Sequence, residues 1–411
     1  MEYGLIGEKL PHSFSMLIHP QFFGYSYELK ELQRAELKAF FEKRDFKGIN
    51  VTIPYKRDVM EFLDDISQEA RKIGAVNTVV NKNGKLIGYN TDCIGLKNLI
   101  LRCGSIENKT VAVLGSGGTS KTANYVCKTL GAKEIVLVSR NEREGFITYE
   151  NLKEISEDIE VIINTTPVGM YPDIDSTPIN IEDFKNVKIL VDAVYNPIKS
   201  KLVSKAQGLG IKALGGLYML VAQAARSAEL FCDKALPPQK TDEVYKNLLR
   251  DKKNIVLIGM PASGKSSVGR VLEKSLSKPL FDSDSIIEQT ENTSISKIFE
   301  NLGERYFRDK ESEIIKKLSK KSGVIISCGG GVILRKENMD FLKQNGKIYF
   351  LDRSLENLQA FSDRPLSSDR VSLEKRYNER YHLYREYADK IIDSNGSIDY
   401  TANLIKEDFL K

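Results

Sequence analysis

Residues 259–266 read GMPASGKS, a match to G-x-x-x-x-G-K-[ST] that constrains the fold, because such a loop works only between a strand and a helix. Both flanks comply: NIVLI before it is apolar and strand-like, and SSVGRVLEKSL after it has helix period. The glycines let successive backbone N–H groups turn inward around a phosphate. Lys265 supplies a point charge to the outer phosphates, and the helix N-terminus adds its partial positive charge. Gly259, Pro261, Ala262, Ser263, Gly264, Lys265, Ser266 and Ser267 are therefore expected around a nucleoside triphosphate, with the Ser266 hydroxyl on magnesium. A strand, glycine loop and helix in that order open a parallel α/β layer.

A second glycine turn stands earlier in the chain. VAVLGSGGTSKTA places Gly115, Ser116, Gly117, Gly118 and Thr119 after one strand and before one helix, which suits the pyrophosphate of a dinucleotide. The pattern departs from G-x-G-x-x-G, since Ser120 holds the third glycine position. The next strand, EIVLVSR, ends in Ser139 and Arg140, where a chain that binds NAD usually offers an acid to the ribose hydroxyls. A guanidinium there fits the 2′-phosphate of NADP, so NADP is the expected cofactor. Further strands are expected in DIEVIINTT and VKILVDAV, which extends the parallel βαβ layer.

At about 150 residues per domain, the 411 residues amount to two or three domains. The fold expected is α/β throughout. A small N-terminal α/β domain spans 1–101 and is completed by a helix at 215–235, and a Rossmann-type NADP domain spans 102–240. A linker over 241–253, where paired prolines give way to dense charge, leads to a P-loop domain with a parallel sheet over 254–411. With 41% hydrophobic and 28% charged residues, the chain is neither collagen-like nor wholly disordered. Its 61 basic and 56 acidic residues argue against a nucleic-acid-coating protein and leave phosphorylated small molecules as partners. Cys93, Cys103, Cys127, Cys232 and Cys328 form no CxxC pair and no zinc spacing, and the N-terminus MEYGLIGEKLPHSFS lacks a basic region followed by an apolar one. No apolar run approaches the roughly 18–20 residues of a membrane span. A reducing cytoplasm is the expected location.

In FDSDSIIEQ, two carboxylates two residues apart follow the phosphate loop. At a strand end, Asp282 can hold magnesium through water, while Asp284 at the start of the next helix faces an acceptor hydroxyl as orienter or base. The plainer alternative is that both are helix N-caps. Three more features follow in order: YFRDKE with Arg308, SCGGGVI with Gly329 to Gly331, and DRPL with Arg364 ahead of RYNERYHLYREYADK. This arrangement resembles the shikimate kinase family, whose pattern has a DxD after the P-loop, an FR pair, a GGG turn, an RPL lid and an R-x-x-L-Y helix. His382 stands where many members have proline. The resemblance implies that Asp284, Arg308, Gly330 and Arg380 hold shikimate, that Arg364 closes over ATP, and that Lys265 and Asp284 carry the chemistry. Arg370, Arg376 and Arg385 are read as a solvated helix face.

The N-terminal segment offers a second chemistry. GINVTIPYK puts Lys56 after a strand and a proline turn, and GYNTD puts Asp92 at another strand end, so a cation and a carboxylate can converge on a cleft. PHSFS adds Ser13 and Ser15, and AVNT adds Asn77. Taken singly, each is equally a surface or turn residue. With the HSxS, NVTxPxK, GAVNT, GxNTDxxG, NTTPxGM and GxxMLxxQ blocks in order, residues 1 to about 240 resemble the shikimate dehydrogenase family. The resemblance implies that Ser13, Ser15, Thr52, Lys56, Asn77, Asp92, Tyr195 and Gln223 hold the substrate, with Met170 and Gly216 near the nicotinamide. Lys56, held by Asp92, would protonate the developing alkoxide. Met16 and Pro20 replace the proline and asparagine of the family's SPxxHN, and His12 and His19 are read as structural.

Together the resemblances imply one bifunctional chain that reduces 3-dehydroshikimate with NADPH and then phosphorylates the 3-hydroxyl of shikimate with ATP. Two rivals stand beside it. One is a quinate or shikimate dehydrogenase using NAD, joined to a kinase for another small polyol; Arg140 and the arginines of the kinase pocket argue against it. The other is a regulator that holds these ligands without turnover, and the intact Lys56, Asp92, Lys265, Asp282 and Asp284 argue against that.

Overall fold

Short buried apolar runs alternate with helices and sort the chain into three sheets among the described residues, which are 1–10, 13–358 and 370–411 of this computed structural model. The chain divides into two units, Met1–Leu248 and Leu249–Lys411.

In the first unit, β1 (Tyr3–Gly7), β2 (Glu28–Glu31), β3 (Gly48–Val51), β4 (Asp65–Ile66), β5 (Thr78–Lys82) and β6 (Lys85–Tyr89) form a mixed sheet in the order β2-β1-β3-β5-β6-β4. β1 runs parallel to β2 and β3, whereas β5 is antiparallel to both of its neighbours. The β5–β6 hairpin turns at Asn83 and Gly84, whose φ values of 54° and 89° are those a tight primed turn requires. A second sheet is wholly parallel: β7 (Thr110–Leu114), β8 (Glu134–Val138), β9 (Val161–Asn164), β10 (Ile189–Asp192) and β11 (Lys212–Leu214), in the order β11-β10-β9-β7-β8. β7 and β9 are buried along their whole length, as strands covered on both faces must be. The order reverses between β7 and β9, and a topological switch point of this kind opens a crevice at the strand ends.

The second unit holds β12 (Asn254–Ile258), β13 (Leu280–Asp282), β14 (Ile325–Ser327), β15 (Gly346–Asp352) and β16 (Lys390–Asp393), all parallel, in the order β13-β14-β12-β15-β16. Central β12 is fully buried and delivers the chain into the phosphate loop.

The segment 241–253, expected as a linker, is helical, and the division between the two units falls within it. Residues Lys240–Lys252 form a helix with Val244 and Leu248 buried on one face. Arg102 Nη1 lies 2.6 Å from Asp242, and the Tyr245 ring packs edge-on against Tyr218 at 5.2 Å. An apolar pair at i, i+4 makes one buried stripe, and the dense charge is simply the other face of the same helix. The paired prolines precede that helix, with the carbonyl of Pro237 accepting from Lys240 N–H at 2.9 Å.

Candidate active sites

The turn after β3 and the turn after β6 face each other in the first unit. Lys56 Nζ is 2.6 Å from Asp92 Oδ2, with side chains 26% and 16% exposed, so the pair is sheltered yet open to a ligand. Asp92, expected at a strand end, is instead the first residue of helix Asp92–Cys103, because β6 stops at Tyr89. A carboxylate at a helix N-terminus is favoured by the helix dipole. Backbone bonds fix the spacing: Val76 N–H donates to Lys56 O at 2.8 Å, and Asn77 N–H donates to Tyr89 O at 3.0 Å.

Thr91 gathers the neighbouring polar groups. Asn77 Nδ2 donates to Thr91 Oγ1 at 3.0 Å, and Asn77 Oδ1 accepts from Thr91 N–H at 2.7 Å. Thr91 Oγ1 also lies 3.4 Å from Gln223 Oε1, which is carried on helix Leu217–Cys232. Behind it, Asn50 Nδ2 donates to Thr78 Oγ1 and Ser227 Oγ at 3.0 and 2.9 Å, and Asn50 Oδ1 accepts from Tyr27. Buried polar atoms need such partners, so this network locks Asn77 and Gln223 in place. The sequence reasoning named neither Thr91 nor Asn50, although both lie inside motifs it quoted. Ser13 Oγ accepts from Ser15 N–H at 3.2 Å, and Phe14 between them packs edge-on against Tyr195 at 5.5 Å, which brings the serine turn beside the 193–196 loop. Thr52 is anchored by its N–H on Ile6 O at 3.0 Å. Met16 is exposed, Pro20 opens the short helix Pro20–Phe23, and His19 is fully buried. His12 lies outside the described residues.

At the switch point, β7 leads into Gly115, whose φ of 110° is a left-handed conformation and whose missing Cβ leaves room for Thr165 Oγ1, which would lie 2.8 Å from it. Gly117 caps helix Gly118–Thr129, and a Cβ on Gly117 or Gly118 would meet nothing within 4 Å. The helix N-terminus therefore faces open space, flanked by exposed Ser116 and half-buried Thr119, while Ser120 is buried. Ser139 is buried at the end of β8 and donates to Asn141 O, and Arg140 after it is exposed. Met170 is 40% exposed, and Gly216 caps the helix carrying Gln223 so close to Ala193 O that no side chain fits.

In the second unit, Gly264 has φ 90° and Ala262, unusually for a residue with a Cβ, has φ 66°. Lys265 Nζ donates to Gly259 O and Met260 O at 3.0 and 2.8 Å. Ser266 Oγ donates to Asp282 Oδ2 at 2.6 Å, and Asp282 Oδ1 accepts from Ser285 N–H at 3.2 Å, so Asp282 is both a helix N-cap and a partner of the phosphate loop. Ser263 is buried beneath the loop.

The glycine turn 329–331 draws the other groups together. A Cβ on Gly329 would clash with Asp284 Oδ1, one on Gly331 with the Arg308 guanidinium, and one on Gly330 would sit 2.9 Å from Pro261 Cδ. The carbonyl of Gly330 accepts from Arg380 Nη1 at 3.2 Å and from the Tyr384 hydroxyl. Helix Arg370–Tyr387 continues unbroken through His382, and Arg380 is buried on it. Arg308 Nη1 donates to fully buried Glu311 Oε2 at 2.8 Å. Burial pushes the Glu311 carboxyl up to about 7, against the opposing pull of Arg308. Glu311 was missed, yet its i+3 spacing from Arg308 on a helix was a readable signal. A cleft of about 1070 Å³ is lined by Lys265, Ser266, Asp282, Asp284, Arg308 and Arg380. Pro261, Ala262, Gly264 and Ser267 also border it. So does Arg376, which the sequence reading had placed on a solvated face. Arg370 and Arg385 are exposed, and Arg364 lies outside the described residues.

Comparison with known proteins identifies both halves of the chain. The family model described as shikimate dehydrogenase substrate binding domain matches residues 5–79, and the shikimate kinase model matches residues 261–409. The NADP(+) shikimate dehydrogenase of Clostridium beijerinckii is 42% identical over 261 residues, covering 59% of this chain and 96% of the relative. Among solved structures, a chorismate mutase/shikimate 5-dehydrogenase fusion from Clostridium acetobutylicum is 39% identical with a TM-score of 0.57, covering 60% of this chain and 96% of that one. The shikimate 5-dehydrogenase of Thermus thermophilus, solved with NADP(H) and shikimate, is 28% identical with a TM-score of 0.54, covering 60% of this chain and 99% of that one. The chain therefore belongs to the shikimate dehydrogenase family, and it carries a shikimate kinase domain at its C-terminal end.

Proposed function

We propose that the first unit reduces 3-dehydroshikimate to shikimate with NADPH and that the second unit transfers the γ-phosphoryl group of ATP to the 3-hydroxyl of shikimate. The observation that carries this reading is that one chain holds the Lys56–Asp92 pair and a strand–glycine turn–helix in its first unit, and in its second a phosphate-loop cleft lined by Asp284, Arg308 and Arg380. Substrate binding falls to residues 1–101 with the helix at 215–235, dinucleotide binding to 102–240 and phosphoryl transfer to 254–411.

The open space at Gly117 and Gly118 fits a pyrophosphate on the helix N-terminus, and exposed Arg140 fits a 2′-phosphate. When bound, NADPH supplies hydride to the ring ketone carbon. The Lys56 ammonium donates a hydrogen bond to the ketone oxygen, stabilises the charge that develops there and gives up its proton to it. Asp92 holds that ammonium in line. Ser13, Ser15, Thr52, Asn77, Tyr195 and Gln223 orient the carboxylate and hydroxyls of the ring, with Met170 and Gly216 lining the nicotinamide end.

In the second unit the hydroxyl of Ser266 and the carboxylate of Asp282, already in contact, are an oxygen pair suited to magnesium, the latter through water. Magnesium, when bound with ATP, neutralises phosphate charge. Lys265 swings from its two backbone carbonyls to the phosphates, Arg308 and Arg380 grip the substrate carboxylate, Gly330 contributes its backbone, and Asp284 orients the acceptor hydroxyl and takes its proton. All five cysteines are free, which supports placement in a reducing cytoplasm.

The test follows NADPH oxidation and ADP release together in the purified chain. Supplied with 3-dehydroshikimate, NADPH, ATP and magnesium, it should release ADP only after NADPH is consumed, whereas added shikimate should release ADP at once. A preference for quinate with NAD, or binding of both nucleotides without turnover, would overturn the reading.

A further inference from the structure

A buried aspartate lies beneath the dinucleotide crevice. Asp192 ends β10, is wholly buried, and stands in register with Asn164 at the end of β9. Three neutral donors converge on its carboxylate. Oδ1 accepts from Asn164 Nδ2 at 2.9 Å and from Val194 N–H at 3.0 Å, and Oδ2 accepts from the Ser200 hydroxyl. Burying a carboxylate without a cation is costly, and burial pushes its carboxyl up to about 6. A nonpolar residue would fill an ordinary strand end at lower cost, so the position calls for a reason.

The donors lead outward to two loops. On one side, Asn164 Oδ1 accepts from Thr166 N–H at 3.0 Å and from Thr166 Oγ1 at 2.7 Å. Thr166 Oγ1 in turn accepts from Val168 N–H at 3.3 Å, two residues before Met170. On the other side, Val194 stands next to Tyr195, and its carbonyl accepts from Gly216 N–H at 2.8 Å. The Asn164 arm thus runs to within two residues of Met170 and the Val194 arm to Tyr195 and Gly216, residues that the proposed mechanism places around the nicotinamide or the substrate, while Ser200 caps helix Lys201–Gly208.

We infer that Asp192 is a positioning residue of the reducing site: its carboxylate sets the 164–170 and 193–196 loops at one fixed spacing, so that Met170 and Gly216 meet the nicotinamide end of the dinucleotide while Tyr195 meets the substrate beside it. This rests on the dehydrogenase reading above. Asp192 touches neither substrate nor cofactor and acts through its three donors. Alanine would leave Asn164 Nδ2 and Val194 N–H without their acceptor. Asparagine would keep one oxygen for both and turn its amide N–H to Ser200.

The test uses the full chain, with NADP+ titrated by calorimetry and NADPH and ketone varied separately in the assay. Asp192→Ala should raise the NADP+ dissociation constant and the KM for NADPH, and lower kcat, by roughly ten- to a hundredfold. The KM for the ketone should rise as well, through Tyr195, and Asp192→Asn should restore most of the loss. Thr166→Val, which removes one arm, should raise the KM for NADPH about fivefold at full binding stoichiometry. A merely structural role would lower the stoichiometry in Asp192→Ala and leave its dissociation constant and KM values alone, and that result overturns the inference. If Asp192→Ala does not fold, an unchanged Thr166→Val overturns it equally. A wild-type chain that oxidises no NADPH would sink the dehydrogenase reading instead, and the calorimetry would still decide the role of Asp192.

Discussion

His19 should make the first unit lose stability in mild acid, by an amount the structure sets. The ring is wholly buried, stacked on Tyr27 at 3.9 Å and 4°, with Nδ1 2.7 Å from the Tyr25 hydroxyl oxygen and, among the described residues, no hydrogen-bond partner at Nε2. Burial pushes its pKa down to about 3, against about 6.5 in an unfolded chain. The folded value lies below the unfolded one, so the neutral ring's contribution is complete above about pH 6.5 and is lost as the pH falls towards 3. At pH 5 the unfolded chain is favoured by about 1.5 decades of protonation, which is about 2 kcal/mol. His19→Phe keeps the stack on Tyr27 and cannot titrate. Urea titrations of both chains at pH 7.5 and pH 5, read by brief proteolysis so that the unit Met1–Leu248 is followed by itself, isolate the term. The stability difference should move by about 2 kcal/mol towards the variant at pH 5. A difference that stays constant between the two pH values would refute the reasoning, because the buried ring would then not resist protonation.

Lys56→Ala should slow NADPH-dependent reduction by roughly 10²-fold or more and leave shikimate-dependent ADP release untouched; near-normal reduction would remove the lysine from the mechanism. Lys265→Ala should do the reverse, and an unimpaired kinase would show that the loop does not hold phosphates. For Arg140→Ala the KM for NADPH should rise far more than that for NADH, and equal rises would defeat the 2′-phosphate assignment. Ala262→Gly should stabilise the second unit by about 0.5–1 kcal/mol, read as a raised urea midpoint, because φ of 66° strains a residue with a Cβ and not a glycine. A lowered midpoint would mean that the loop carries no such strain.

Both glycine turns were legible because everything they need is local: a strand, a few N–H groups and a helix start lie within one short stretch of chain. Arg308 and Asp284 were legible through short motifs, and Glu311 could have been found from its helical spacing. The Lys240–Lys252 helix that joins the two units was not legible because charge density was weighed above the buried pair at Val244 and Leu248. Arg376 was misread for a related reason, since composition cannot say which face of an arginine-rich helix meets a cleft.

What sequence alone determined here is the inventory: two glycine turns between strand and helix, one lysine and one carboxylate in separate turns, and one arginine-rich helix. Tertiary structure decided the rest, because burial and long-range hydrogen bonds do not follow from spacing. Thr91 reaches Gln223 across a separation of 132 residues, and only the fold makes one hydroxyl hold both Asn77 and that glutamine. Asp192 is an ordinary strand-end acid until β9 and β10 stand side by side and close water out around it.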